Sequence, residues 1–168
     1  MTPPTLTAGD LTLRPYEIAD FEAFAGIFAS PRSIYMDGPC DRARAWHYFT
    51  NDVAAWPLFG WGSLTVTRGG EVMGFTGLTR PPEYPEPEFG WLLTDAAEGQ
   101  GIATRAARAL TDWVWTATPL KTFVSYIDHR NAASIRVAEK LGAVRDDRAA
   151  RPADEPLVYR HLKDRHDG

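Results

Sequence analysis

Four groups of residues in this chain have the types and spacing to do chemistry. Glu86 and Glu88 stand two apart at the head of a short apolar run, Phe89 to Leu93. Period-two alternation would put both carboxylates on one face of a strand, where either could act as a base. The run feeds Glu98-Gly99-Gln100-Gly101-Ile102-Ala103-Thr104, a loop of mostly small residues that opens at once into a helical pattern. Glycines let a ligand approach the backbone, and the first turn of a helix presents unpaired N–H groups at a positive dipole end. Together these form an anion cradle suited to a phosphate or pyrophosphate. Asn131 and Ser134 stand one helical turn apart where a later helix begins, and both side chains can hydrogen-bond a ligand. Cys40 is the only cysteine, with His47 seven residues on, which offers a nucleophilic alternative. The plain alternatives are a structural strand–turn–helix, two solvated carboxylates, and an asparagine that only caps its helix.

The elements that must position these groups follow from periodicity. Leu11 to Leu13 reads as a first strand. A helix follows on Ile18, Phe21, Phe24, Ala25, Ile27 and Phe28, and Ser30-Pro31 ends it. Asp41 caps a second helix through Trp46, Tyr48, Phe49 and Val53 that stops before Trp56-Pro57. Trp61 to Thr67 and Val72 to Leu78 form a hairpin around Gly69-Gly70. The stretch Pro81 to Pro87 is a stiff loop entering the next strand. Beyond the glycine loop, Ile102, Ala106, Ala109, Leu110, Trp113 and Val114 trace one helix face. Thr122 to Ile127 is a strand. A helix runs from Asn131 to Leu141 and stops at Gly142, and Ala143-Val144 and Leu157 to Tyr159 close the chain. The order β-α-α-β-β-β-α-β-α-β-β describes a single α/β domain over residues 1–168.

Composition narrows the function classes. The chain has 168 residues, 44% hydrophobic and 24% charged, with a net charge of −4. An acidic balance argues against a nucleic-acid surface, which needs clustered Lys and Arg. Only Lys121, Lys140 and Lys163 are lysines, so the basic character is almost all arginine. A lone cysteine excludes an internal disulfide and a cysteine-built metal cluster, and points to a reducing cytoplasm. No stretch is long and apolar enough to span a membrane, and the first residues carry no signal-peptide pattern. No metal is expected.

The strand–glycine loop–helix–strand unit with Asp128 downstream superficially matches a dinucleotide-binding fingerprint. Thr104 occupies the third glycine position, the motif lies mid-chain behind a hairpin, and the remaining chain is too short for a second half-fold. A second motif points elsewhere. Asn131-Ala-Ala-Ser134 with Glu139-Lys140-Leu141-Gly142 resembles the Asn-x-x-Ser…Glu-Lys-Leu-Gly-Phe signature of the GNAT superfamily of N-acetyltransferases, most closely its RimJ/RimL-like branch. Glu88-Phe-Gly-Trp91 resembles the central strand of that branch, and Glu98 to Ala103 its acetyl-CoA loop. Leu11-Thr-Leu-Arg14-Pro15 resembles its opening strand, so the resemblance covers nearly the whole chain in order.

That resemblance implies a mixed central sheet of about six to seven strands, parted between the fourth and fifth, and about four flanking helices. The pantetheine arm of acetyl-CoA would lie in the gap against Trp91, Leu92 and Leu93. The pyrophosphate would lie on Gly99, Gln100, Gly101, Ile102, Ala103 and Thr104, with Asn131 contacting the arm from the other side. Glu88 would be the base, with Glu86 as the alternative, and N–H groups near Trp91 and Leu92 would stabilise the oxyanion. The sequence departs from the pattern in places. Glu98 stands where Gln or Arg is usual, and Arg105 and Arg108 could offset its charge or lie on the solvated helix face. Ala143 replaces an aromatic. Ala138 replaces the tyrosine that commonly protonates the thiolate, which leaves Ser134 as its substitute. The acceptor would be a small-molecule amine or a protein N-terminus, between the first two helices and the Pro81–Pro87 loop. Tyr35, Met36, Trp46, Trp56, Trp61 and Tyr84 are candidate walls. The assembly would be a monomer or homodimer. The rival reading is a non-catalytic acyl-CoA-binding module with the same fold.

Overall fold

Alternating apolar positions pair into one mixed sheet in the computed structural model, which describes residues 2–153 and 156–165. Its strands are β1 (Leu6–Ala8), β2 (Leu11–Arg14), β3 (Ser63–Arg68), β4 (Glu71–Thr79), β5 (Glu88–Leu93), β6 (Thr122–Ile127), β7 (Val144–Arg145) and β8 (Leu157–Leu162). They lie in the order β1-β2-β3-β4-β5-β6-β8-β7. Every neighbouring pair is antiparallel except β5 and β6, which run parallel. A parallel pair needs a crossover, and α3 (Ile102–Ala117) supplies it.

The helices α1 (Phe21–Ala29) and α2 (Arg42–Phe59) pack one face, where Phe21, Phe24, Phe28, Phe49 and Phe75 form an aromatic cluster. On the other face α3 buries Ile102, Ala106, Leu110 and Val114 against Leu13, Leu64, Phe89 and Phe123. The last helix, α4 (Ala132–Lys140), packs through Ala138 near Ile127 and Tyr159.

Two expectations are corrected. The sheet has eight strands rather than six to seven. The extra one, β1, is three residues long behind Pro3-Pro4, too short to show alternation. It pairs with β2 across a Gly9-Asp10 turn, in which Gly9 adopts a left-handed φ of 65°. Arg105 holds this hairpin to α3 by donating to Asp10 and to the Ala8 carbonyl. The second helix also runs through Trp56-Pro57 to Phe59. Pro57 sits in its last turn, where the lost N–H costs one bond, and Gly60 (φ 77°) closes the end by donating to the Trp56 carbonyl.

One buried carboxylate ties β2, β3 and the start of α1 together. Asp20 is 2% exposed. It accepts two bonds from Arg14 at 2.8 Å, one from Thr65 and one from the Glu17 backbone N–H. Burial opposes its charge, but Arg14, Glu17 and Thr65 outweigh it and hold the carboxyl below its usual range. Removing one partner of such a pair strands the other, so Asp20→Ala should cost about 3 kcal/mol in urea unfolding. A loss below about 1 kcal/mol would mean the network is not a structural anchor.

Candidate active site at the parted strands

The parallel ladder between β5 and β6 is one register pair long. Glu88 pairs with Val124, and the Val124 N–H donates to the Pro87 carbonyl at 3.0 Å. One residue on, the Ser125 hydroxyl takes the Phe89 carbonyl at 2.6 Å, where a longer ladder would place a backbone donor. Ser125 is buried and its Oγ lies 3.0 Å from His161 Nε2. Beyond this point, among the described residues, no register pair joins the two strands. Because Phe89 faces β6, the alternation turns the backbone groups of Trp91 and Leu93 toward the gap as well. Leu92 faces β4, where it pairs with Phe75. Of the expected oxyanion donors, the Trp91 N–H therefore faces the opening and the Leu92 N–H does not.

Asn131 and Ser134 border the gap from α4. The Asn131 Oδ1 caps the helix by accepting the Ser134 N–H at 3.2 Å. The Trp91 indole donates to Ser134 Oγ at 3.2 Å, which joins the two sides through a side-chain pair. Ala138 is fully buried beside Ala143 and the Tyr159 ring.

The glycine loop forms the far end. Gly99 and Gly101 both adopt a φ of 70°, which disfavours any side chain although open space surrounds both. The first intrahelical bond of α3 runs from the Arg105 N–H to the Gly101 carbonyl. The N–H groups of Ile102, Ala103 and Thr104 therefore have no helical partner, as an anion requires. Gln100 is turned back onto the Ala96 carbonyl and the Arg68 guanidinium. Glu98, the residue at odds with an anion site, ion-pairs at 2.7 Å with Arg32, which also reaches Asp95 at 3.1 Å. Arg32 holds the Glu98 carboxyl below its usual range. Arg105 is committed to Asp10 and Arg108 to the Lys140 carbonyl, so Arg32 supplies the offset instead. The loop and the gap fit a pantetheine thioester ending in a pyrophosphate.

The two candidate bases separate. Glu86 lies before β5 rather than on its face, because the strand begins at Glu88, and Arg160 grips it with two bonds of 2.8 and 2.9 Å. Arg160 also binds Asp146. Glu88 has no such partner. Its carboxyl folds over Gly90, where a Cβ would stand 3.4 Å from Oε2. Burial, aided by the charge of Asp52, pushes it up to about 8, against the opposing pull of the Tyr126 N–H.

Asp52 is a residue that the sequence reading missed. It lies on α2, accepts the Tyr16 hydroxyl at 2.9 Å, and is pushed up to about 7 by burial. An available signal was its place on the inner stripe of α2 with Ala45, Phe49 and Trp56, where an acid is out of place.

Of the candidate walls, Trp56 packs on Trp113, Trp61 stacks on Phe59, and Trp46 lies against Phe21 and Phe49. The Tyr84 ring meets Tyr126 on β6 at 5.3 Å, and Tyr35 lies under the Arg130 guanidinium at 5.6 Å. Met36 and Cys40 pack against the aromatic cluster of α1 and α2. Asp128 is held by Arg130, which pulls its carboxyl down to about 2.

Comparison with known proteins agrees with this fold. A family model described as an acetyltransferase (GNAT) domain matches residues 10–144. The crystal structure of an acetyltransferase from Agrobacterium tumefaciens superposes with a TM-score of 0.92 at 44% identity, covering 96% of this chain and 95% of the other. A spermidine N-acetyltransferase from Vibrio cholerae, in complex with CoA and spermine, shares the fold at 16% identity with a TM-score of 0.73, over 95% and 99% of the two chains. The RimL ribosomal alpha-N-protein acetyltransferase in complex with coenzyme A shares it at 16% and 0.74, over 95% and 98%. A Bacillus subtilis protein, YkkB, is 37% identical over 79 residues, a stretch spanning 45% of either chain.

A carboxyl whose folded pKa lies above its unfolded value of about 4.3 favours the fold fully below that value, and its contribution is lost as pH rises through the folded pKa. With Glu88 near 8, Glu88→Gln should therefore melt higher than the parent at pH 9, by about 2 °C or more, and close to it at pH 4. Equal melting temperatures at both pH values would show that Glu88 is not desolvated.

Proposed function

We propose that this chain, which belongs to the acetyltransferase (GNAT) family and is an acyltransferase, moves an acetyl group from acetyl-CoA to a primary amine as a RimJ/RimL-like enzyme. The observation that carries this reading is Glu88, a desolvated carboxyl without a cationic partner at the mouth of the parted strands. A Vibrio cholerae relative is named for spermidine and RimL for a ribosomal protein, so both acceptor classes fit the fold.

Acetyl-CoA supplies a thioester: its C–S bond breaks as the N–C bond forms, and the thiol leaves with one of the amine's protons. The residues of this chain bind, orient and move protons. Backbone N–H groups from Gly99 to Thr104 hold the pyrophosphate, and the gap-facing groups of Trp91 and Leu93 hold the pantetheine. Asn131 keeps α4 in place against that arm. An alkylammonium is mostly charged at neutral pH, so Glu88 takes one proton before attack. A base of raised pKa suits that task, since it accepts a proton readily and returns it to solvent. The Trp91 N–H faces the carbonyl oxygen as it gathers charge. Because the Trp91 indole already donates to Ser134 Oγ, the Ser134 hydroxyl proton is left to point at the departing sulfur. A lone cysteine suits a reducing cytoplasm.

The buried Ala138, with no tyrosine in its place, favours the second reading of an acyl-CoA-binding module. Acetyl-CoA with a panel of aliphatic amines and peptide N-termini, followed by free thiol, separates the two. Thiol release dependent on the amine supports transfer. A cofactor-dependent thermal shift without thiol release supports the binding module. Glu88→Gln should lower kcat by about tenfold or more while leaving the acetyl-CoA thermal shift unchanged. An unaltered kcat would remove Glu88 as the base.

A further inference from the structure

The acceptor face of the sheet holds a second carboxyl to which the transfer scheme gives no task. Asp52 hangs from α2 with the Tyr16 hydroxyl donating to Oδ2 and the Ser63 hydroxyl beside it. Below it, Ser63, Gly77 and Gly90 are adjacent rungs of β3, β4 and β5. Gly77 has no space for a side chain, because Ser63 Cα would lie 2.1 Å from its Cβ, and Glu88 folds over Gly90. The path from Asp52 to Glu88 therefore crosses bare backbone, and the charge of Asp52 is felt at Glu88. Tyr84 and Tyr126 stand on the far side, and both feel the charge of Glu88. The groups that set the charge of the two carboxyls are Tyr16, Ser63, the Tyr126 N–H and the influence of Asp52 on Glu88, and none of these is a cation. Elsewhere around the site Arg32 pairs with Asp95 and Glu98, and Arg160 pairs with Glu86.

We propose that Asp52 is an acceptor-binding residue that, with Glu88, holds the incoming amine as its ammonium, so that this transferase selects primary amines that are cationic at neutral pH. The inference rests on the acetyl-transfer reading. Two desolvated carboxyls with neutral donors repel when both are ionised, so near neutral pH the pair retains a proton. An ammonium supplies the missing positive charge and brings three N–H donors to a region whose acceptors are carboxylates. Glu88 then takes one proton: an N–H bond breaks, an O–H bond forms, and the nitrogen lone pair is freed. Asp52 stays ionised and keeps hold of a remaining N–H. The acetylated product carries no charge on that nitrogen, so the hold weakens once transfer is complete.

The test compares parent and Asp52→Asn with acetyl-CoA and a panel of aliphatic mono-, di- and polyamines, read as thiol release. The KM for the amine should rise about tenfold or more, while the KM for acetyl-CoA stays within about twofold. The acid limb of the kcat/KM profile should move down by about one pH unit, because a like charge beside Glu88 is gone. A merely structural Asp52 would lower the melting temperature and leave both unmoved, which would overturn the assignment while transfer stands. The parent alone gives a second reading that no folding defect can obscure. An alkylguanidinium, a cation that keeps N–H donors but is not acetylated at neutral pH, should compete with the amine, and the alcohol of the same chain length should not; equal inhibition by the two would overturn the assignment. No thiol release from the parent with any amine would sink acetyl transfer and this assignment together.

Discussion

The whole site follows from a ladder that stops after one rung. Strands β5 and β6 pair at Glu88 and Val124 and nowhere further along among the described residues. An interrupted parallel ladder would normally leave unpaired backbone groups inside the protein, which is costly. Here Ser125 removes the first of them by donating to the Phe89 carbonyl, and it is itself placed by His161 and the packing of Phe123 and Phe89. The remaining groups, those of Trp91 and Leu93, line a cleft rather than a core. Their unsatisfied donors and acceptors are what an amide-bearing arm can use, so the cost of the gap becomes binding capacity.

Charge is arranged around that gap by arginines that sit outside it. Glu98 and Asp95 would repel a pyrophosphate, and Arg32, carried on the turn after α1, holds both. Glu86 would compete as a base, and Arg160 on β8 holds it. Glu88 and Asp52, in contrast, are set by neutral donors and by the influence of Asp52 on Glu88. Which carboxylates receive an arginine thus separates the glycine loop from the end of the gap that holds Glu88.

Much of this was legible in the chain because it depends on local pattern. The glycine loop, the Asn131–Ser134 cap and the Gly69-Gly70 turn each need particular residue types at fixed spacing, and each forms where the spacing puts it. Glu86 was misplaced because period-two alternation says nothing about where a strand begins, and Pro87 delays that start to Glu88. The strand β1 escaped because three residues carry no period. Pro57 was read as a helix stop although the last turn tolerates it. Arg32, Arg160 and Ser125 were illegible for a different reason. Their partners lie far away in sequence, and only the completed sheet brings them together.

Asp52 shows how partner chemistry gives a half-buried acid its task. Asp20 is the more deeply buried aspartate on the same face, yet its carboxyl is held low and Asp52 is held high. Asp20 receives a bidentate guanidinium, a hydroxyl and a backbone N–H, so its charge is fully compensated and it serves the fold. Asp52 receives neutral hydroxyls from Tyr16 and Ser63 and faces another carboxyl. Neutral donors orient a carboxylate without cancelling its charge. A protein selected only for stability would have an apolar residue on that stripe of α2, since burying uncompensated charge works against folding. The retained acid is the mark of a position whose missing cation arrives from outside.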